Sequence, residues 1–215
     1  MHVVTTHQLV AFGIAALVII AIPGPSVLFV VGRAMAYGRM VALLSVVGNT
    51  SGMFVVMTLV CLGLGPVVAE SFVVFTVIKL AGAAYMVWLG VQAFRHRSAM
   101  RVDDADLPRA TLSPPQVLRQ GFVVGVSNPK AFIMFGAVLP QFVDTAAGRV
   151  TAQMFALGLV AIVVGLVCDG LWALLASQLR HWFNASPRRG RALGAAGGTS
   201  LVTLGIALAL TGRPD

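Results

Sequence analysis

Charge is scarce in this chain: only 10% of its 215 residues are Asp, Glu, Lys or Arg, while 58% are hydrophobic. Soluble domains carry about 25% charged residues, and one water-soluble core could not hide this much apolar surface, so the bilayer must be the solvent. The scarcity is also uneven. Met1 to Gly32, Met40 to Ala69 and Ala192 to Gly212 contain no charged residue at all, and about 20 apolar residues cross the hydrocarbon of a membrane. Cysteine is nearly absent. Cys61 and Cys168 both fall inside apolar stretches with no second Cys nearby, which argues against a disulfide framework and against a CxxC redox or zinc site; both read as small apolar fillers. The four histidines, His2, His7, His96 and His181, are placed in termini or loops, and no helix carries the paired spacing of a metal centre, so no metal or other cofactor is expected. A P-loop is missing, which argues against direct drive by ATP. No Lys or Arg precedes the first apolar stretch and no small-residue cleavage site follows it, so that stretch is expected to be a retained span rather than a signal peptide.

What is present is a set of apolar spans, predicted near residues 8–32, 40–64, 71–94, 120–143, 152–179 and 192–211. Basic residues sort them. With both termini outside, Arg33, Arg39, Arg95, Arg97, Arg101, Arg109, Arg119, Arg180, Arg188, Arg189 and Arg191 face the cytoplasm, and only Arg149 and Arg213 do not; the positive-inside rule therefore places both termini in the periplasm. The net charge of +8 is thereby a matter of topology, and no nucleic-acid partner is expected, because the basic residues lack a soluble domain and aromatic interleaving. The one long connection, residues 96–118, is polar through Asp103, Asp104, Asp106 and Pro108, and it divides a single transporter domain, 1–215, into halves 1–95 and 119–215. The expected fold is an all-α integral membrane protein of six transmembrane helices in two inverted three-helix repeats. Gly24 to Gly32 aligns without gaps on Asn128 to Gly136, sharing Pro25/Pro129 and Gly32/Gly136, in the first span of each half, where inverted symmetry requires it.

Chemistry concentrates in that repeated segment. Pro23 and Pro25 remove backbone donors and obstruct the carbonyls of Ile19 and Ala21, so the first helix should break there. Polar backbone exposed by such a break is tolerated at membrane depth only inside protein or along a watery cavity. Gly24 can cap the following half-helix with Pro25 as its first residue and Ser26 its second, and Asn128 with Pro129 repeats the arrangement. Each half then offers a helix N-terminus suited to a carboxylate; the plainer alternative is a pair of kinks that only shape packing. Lys130 follows at the second helical position, where the dipole disfavours a cation, and an ionised side chain at mid-membrane costs roughly 2.5 to 3.5 kcal/mol on insertion scales. Asp169, the only acid well inside a span, is its expected partner, either as part of a substrate site or as a salt bridge that fixes helix positions. Asn49, Thr50 and Ser51 read two ways, as cavity lining or as packing glue. Lys79 can snorkel toward Glu70. Gly121 with Gly125, and Gly194 with Gly198, have the spacing of close helix contacts, and Trp182 that of an interfacial anchor.

Taken together, Pro23-Gly24-Pro25 with Gly32-Arg33, Lys79 to Tyr85 through Leu89-Gly90, and Gly121 through Asn128-Pro129-Lys130 to Leu139-Pro140-Gln141-Phe142 resemble the lysine exporter and threonine/homoserine efflux (LysE/RhtB) translocators of bacteria, over nearly the whole chain. The resemblance implies an inner-membrane, multi-pass export carrier for amino acids or their derivatives, driven by the proton gradient and assembled as a homodimer, with its motif residues on Pro23, Gly24, Pro25, Asn128, Pro129 and Lys130 and its intramembrane acid on Asp169. Some relatives carry a carboxylate in the second span; this chain carries none, which weakens the case for a cationic substrate such as lysine. The residues then suggest a site of Pro23, Gly24, Pro25, Ser26, Asn49, Asn128, Pro129, Lys130 and Asp169. Its half-helix N-termini and Lys130 would hold a substrate carboxylate, and Asp169 would meet the ammonium or a proton. Asp169 and Lys130 are the candidates for proton coupling. An intramembrane enzyme would need a Ser–His pair or two close carboxylates; the chain offers neither. A passive channel and a cation or metal exporter of the same superfamily are the alternatives.

Overall fold

The computed structural model describes residues 3–64 and 112–184, with isolated positions 80, 84, 87, 88, 91, 195, 199, 202, 203 and 206. These residues form α1 (Thr6–Ala21), α2 (Pro25–Tyr37), α3 (Arg39–Leu59, continued by a π turn at Val60–Leu64), α4 (Pro114–Val126), α5 (Pro129–Phe142) and α6 (Val150–Asn184). Two helices, Arg39–Gly63 and Val150–Leu179, are long and apolar enough to cross a membrane; α1 with α2, and α4 with α5, form two more candidate spans bent by 56° and 49°. The described part is thus a bundle of two straight and two broken helices. Apart from those isolated positions, the spans expected at 71–94 and 192–211 lie outside the described residues, as do Lys79, Glu70, Gly194, Gly198 and His96 and most of the 96–118 connection.

Boundaries differ from the hydropathy reading where polar caps extend a helix. Helix α4 starts at Pro114, inside the connection expected at 96–118: Ser113 donates its N–H to Gln116 Oε1 at 3.1 Å, and Pro114 and Pro115 fill a first turn where no N–H is needed. Helix α6 runs to Asn184 rather than 179, so His181 and Trp182 belong to its last turn, and His7 lies in the first turn of α1. His181, expected in a loop, is therefore helical, while His7 stays in the N-terminal flank, in a first turn started by the Thr5–Gln8 capping box. The side chains of His181 and Trp182 are outside the described part.

Two apolar clusters hold the bundle. One joins Phe12, Ala16 and Ile20 of α1 to Met53, Val56 and Met57 of α3, Ala131, Met134, Phe135 and Leu139 of α5, and Leu157 and Ala161 of α6. The other joins Phe29, Val30, Ala34 and Met35 of α2 to Ala42 and Val46 of α3, Val124 of α4, and Ala173 and Ala176 of α6. On every element the polar candidates fall between the two: the 22–26 break between α1 and α2, Asn49 between Val46 and Met53, Asn128 between Val124 and Ala131, Asp169 between Ala161 and Ala173. A polar layer therefore separates two apolar ends, and burial of the ends fixes its height.

Helices α3 and α4 share the most extensive contact in the bundle, and glycines make it. A Cβ on Gly121 would lie 2.5 Å from Ser45 O and 3.0 Å from Asn49 N, and one on Gly48, Gly52 or Gly125 would overlap the backbone of Leu118, Phe122 or Asn49. The sequence expectation of close contacts at Gly121 and Gly125 is met here by backbone against backbone, with Gly48 and Gly52 as the facing pair. Between α2 and α3 the chain turns at a single residue, Gly38, whose φ of 86° and ψ of −175° are open to glycine but strained for other residues.

Candidate functional site

The site begins with what proline removes. Because Pro23 has no N–H, the carbonyl of Ile19 has no donor four residues on, and α1 ends at Ala21 with Ile22 extended (φ −64°, ψ 118°). Lys130 answers that loss: its Nζ donates to Ile19 O at 3.0 Å and to Ile22 O. The cation thus sits at the carbonyl end of α1, where the helix dipole is negative, although its own backbone lies in the first turn of α5. The lysine end lies directly over Gly24, where a Cβ would meet Lys130 Cε and Nζ at 3.4 Å, an ordinary contact.

This arrangement corrects the expected Lys130–Asp169 ion pair. Lys130 is taken up by free backbone carbonyls, and Asp169, only 4% exposed, accepts from Asn49 Nδ2 at 2.9 Å. The two opposite charges act on each other through space without a direct bond. The physical reason is that a broken helix supplies acceptors of its own, nearer to the lysine than the carboxylate is.

Of the polar triplet in α3, Asn49 enters the site and Ser51 does not. Asn49 is fully buried, with Nδ2 also 3.6 Å from Met53 Sδ, whereas Ser51 is exposed and bonds back to Val47 O at 2.8 Å. The two half-helix N-termini differ from one another. At α5, Asn128 Oδ1 accepts from Lys130 N at 3.1 Å and Asn128 O from Ala131 N at 3.0 Å, so that end is capped by its own residue. At α2, Gly24 brings no side-chain cap, the backbone ladder begins with Leu28 N to Gly24 O at 3.0 Å, and the N–H groups of Ser26 and Val27 precede it. Pro23, Gly24, Pro25 and Ser26 at one break, and Asn128, Pro129 and Lys130 at the other, are thus linked by the lysine side chain.

A family model described as LysE type translocator matches residues 17–212. The chain belongs to this family. Its relatives include a homoserine/homoserine lactone efflux protein of Salmonella typhimurium, 30% identical over 187 residues that cover 87% of this chain and 88% of the relative. A threonine efflux protein of the same organism is 33% identical over 181 residues, 80% of this chain and 77% of the relative. The threonine efflux protein of Escherichia coli is 29% identical over 162 residues, 75% and 71% of the two chains. No solved structure matches.

One further polar cluster in this chain escaped the sequence reading. At the end of the bundle remote from the 33–39 turn, Gln153 is 1% exposed; its Oε1 accepts from Asp144 N at 3.0 Å and Gln8 Nε2 at 3.3 Å, and its Nε2 donates to Asp144 O at 2.8 Å and Gly148 O at 2.7 Å. Gln8 Nε2 also donates to Phe142 O at 3.0 Å. A signal existed, a glutamine one turn into an apolar helix, but its partners lie up to 145 residues away. Among the described residues, no group of three or more His, Cys, Asp or Glu could hold a metal ion.

Proposed function

We propose that this protein is a secondary-active exporter of amino acids or their derivatives, driven by the proton gradient across the bacterial inner membrane, with six transmembrane helices in two inverted three-helix repeats. The observation that carries the reading is the pair of opposite charges, Lys130 and Asp169, set between two apolar clusters and bonded to a broken helix end and to Asn49 rather than to each other. A salt bridge that only fixed helix positions would close on itself; separated charges leave each able to exchange its partner for a ligand. The relatives' names, homoserine and threonine efflux, support amino-acid cargo. Orientation follows from Arg33, Arg39 and Arg119, which cluster near the 33–39 turn and the start of α4, while the opposite end carries Thr5, Asp144 and Gln153; the positive-inside rule makes the arginine end cytoplasmic and the N-terminus periplasmic.

In this mechanism the substrate carboxylate meets the uncapped first turn of α2, at the Ser26 and Val27 N–H groups, and draws the Lys130 ammonium from the carbonyls of Ile19 and Ile22. The substrate ammonium meets Asp169. A proton bound at Asp169 cancels the charge that holds the ammonium, so proton and substrate exclude one another there, which is what exchange in opposite directions requires. Rocking of α1 against the body that α3 and α4 form, about the polar layer, alternates access.

The test is counterflow of labelled amino acids in proteoliposomes containing the wild type, Lys130→Ala and Asp169→Asn, with and without an imposed pH gradient. Gradient-driven flux lost in both variants supports the carrier. No amino-acid flux under any condition refutes it and favours a channel or a cation exporter; downhill flux that never responds to the gradient refutes the coupling.

A further inference from the structure

Asn49 carries a buried atom that nothing so far uses. An ionised carboxylate can only accept hydrogen bonds, so the amide must turn Nδ2 toward Asp169. That turns Oδ1 the other way, where among the described residues no donor meets it. Buried polar atoms are rarely left so. Nor can the side chain be carried off by a backbone shift, because Asn49 O, C and Cα are pressed against Gly125 in the α3–α4 seam. The carboxylate and the amide oxygen thus stand on either side of Nδ2 as two acceptors on one fixed side-chain pair, and the group that suits them is a primary ammonium, whose several N–H donors can reach both.

The charge count of the layer points the same way. Its described members are Lys130 and Asp169, one positive and one negative, together with neutral Ser26, Asn49 and Asn128; Arg33 and Arg39 belong to the cytoplasmic ends of α2 and α3. Among the described residues the charges of the layer, buried Asp169 and half-buried Lys130, balance, and a zwitterion leaves them balanced. A substrate with a cationic side chain would add a positive charge with no buried partner, which a low-dielectric layer strongly disfavours.

We propose that Asn49 determines which amino acids are carried: its Oδ1 accepts a second N–H of the substrate ammonium held by Asp169, and its neutrality keeps the site to one negative charge, so the substrates are zwitterions with uncharged side chains. The inference rests on the amino-acid carrier reading above. Asn49→Asp changes almost nothing in shape but adds the negative charge a cationic side chain would need.

Counterflow of labelled threonine into proteoliposomes, competed by unlabelled threonine, lysine and the 2-hydroxy acid analogue of threonine, tests it in the wild type, Asn49→Asp and Asn49→Ser. In the wild type, lysine and the hydroxy acid should each compete at least tenfold more weakly than threonine. Asn49→Asp should narrow the lysine-to-threonine ratio about tenfold or reverse it, and Asn49→Ser, shorter but neutral, should raise half-saturation by threonine about tenfold while lysine stays weak. Lysine or the hydroxy acid competing as well as threonine in the wild type overturns the proposal whatever the variants do. So does an unchanged ratio in an active Asn49→Asp protein, or unchanged half-saturation in Asn49→Ser. Flux of no amino acid at all is a different result, and overturns the carrier reading itself.

Discussion

Replacing Gly121 by alanine tests whether the α3–α4 seam sets the geometry of the site. The added methyl would lie 2.5 Å from Ser45 O, whereas carbon and carbonyl oxygen approach to about 3.3 Å at closest, so α3 must retreat by roughly 0.8 Å. A shift of that size along the line from Asn49 to Asp169 would stretch their 2.9 Å hydrogen bond beyond useful range. Overpacking of this kind costs about 1–3 kcal/mol, and each kcal/mol lowers Tm by about 2–4 °C in a chain of this length. Gly121→Ala is therefore expected to lower Tm by several degrees and to impair transport together. Gly32→Ala is the control: no described atom lies within 4 Å of its Cβ, and alanine favours helix over glycine by about 0.5–1 kcal/mol, so that variant should melt no lower than the wild type. Thermal unfolding of purified protein in detergent and counterflow in proteoliposomes would measure both. A Gly121→Ala protein that melts and transports like the Gly32→Ala control would refute the seam.

Lys130→Met leaves the Ile19 carbonyl without the donor that Pro23 already denies it; hydrogen bonds to charged groups contribute about 1.5–3 kcal/mol, and a clear fall in Tm with loss of counterflow is the expected result. Asp169→Asn should behave oppositely in the same melt, with Tm equal or higher, because a buried charge is removed and the new amide can still pair with Asn49, while gradient-driven flux disappears. Gln153→Leu strands the backbone of Asp144 and Gly148 at the end of the bundle remote from the 33–39 turn; an unsatisfied buried group costs about 1–3 kcal/mol, which is about 5- to 150-fold, and hydrogen–deuterium exchange at the Asp144 amide should quicken by about that factor. Unchanged exchange there would show that Gln153 does not hold the loop closed.

The breaks in the helices were legible because their causes are local. Proline lacks a donor wherever it stands, and Gly24-Pro25 and Asn128-Pro129 carry their capping pattern in adjacent letters; both caps occur at those residues. The partner of Lys130 was not legible. A sequence displays side-chain charges, so Asp169 stood out, whereas a carbonyl released by a missing N–H has no letter of its own. Asn49 could not be separated from Thr50 and Ser51 either, since which residue of a triplet faces inward depends on where α4 and α6 lie. The start of α4 was hidden for a third reason: Ser113 and two prolines make a polar first turn that hydropathy assigns to a loop.

The seam and the site divide the bundle into parts that can and cannot slide. Where α3 meets α4 the backbones touch and no side chain lies between to change rotamer, so Asn49 and the Asn128 break move as one body. Across from them, Asp169 on α6 and the α1 carbonyls are tied to that body by the Asn49–Asp169 and Lys130–Ile19 and Lys130–Ile22 bonds. In the proposed mechanism the substrate carboxylate takes Lys130 from the α1 carbonyls, while its ammonium bridges Asp169 and Asn49 and leaves their bond in place. Under the same proposal, substrate binding releases the tie between Lys130 and α1 and leaves the α3–α4 seam closed, which couples occupancy to motion of α1 against that body.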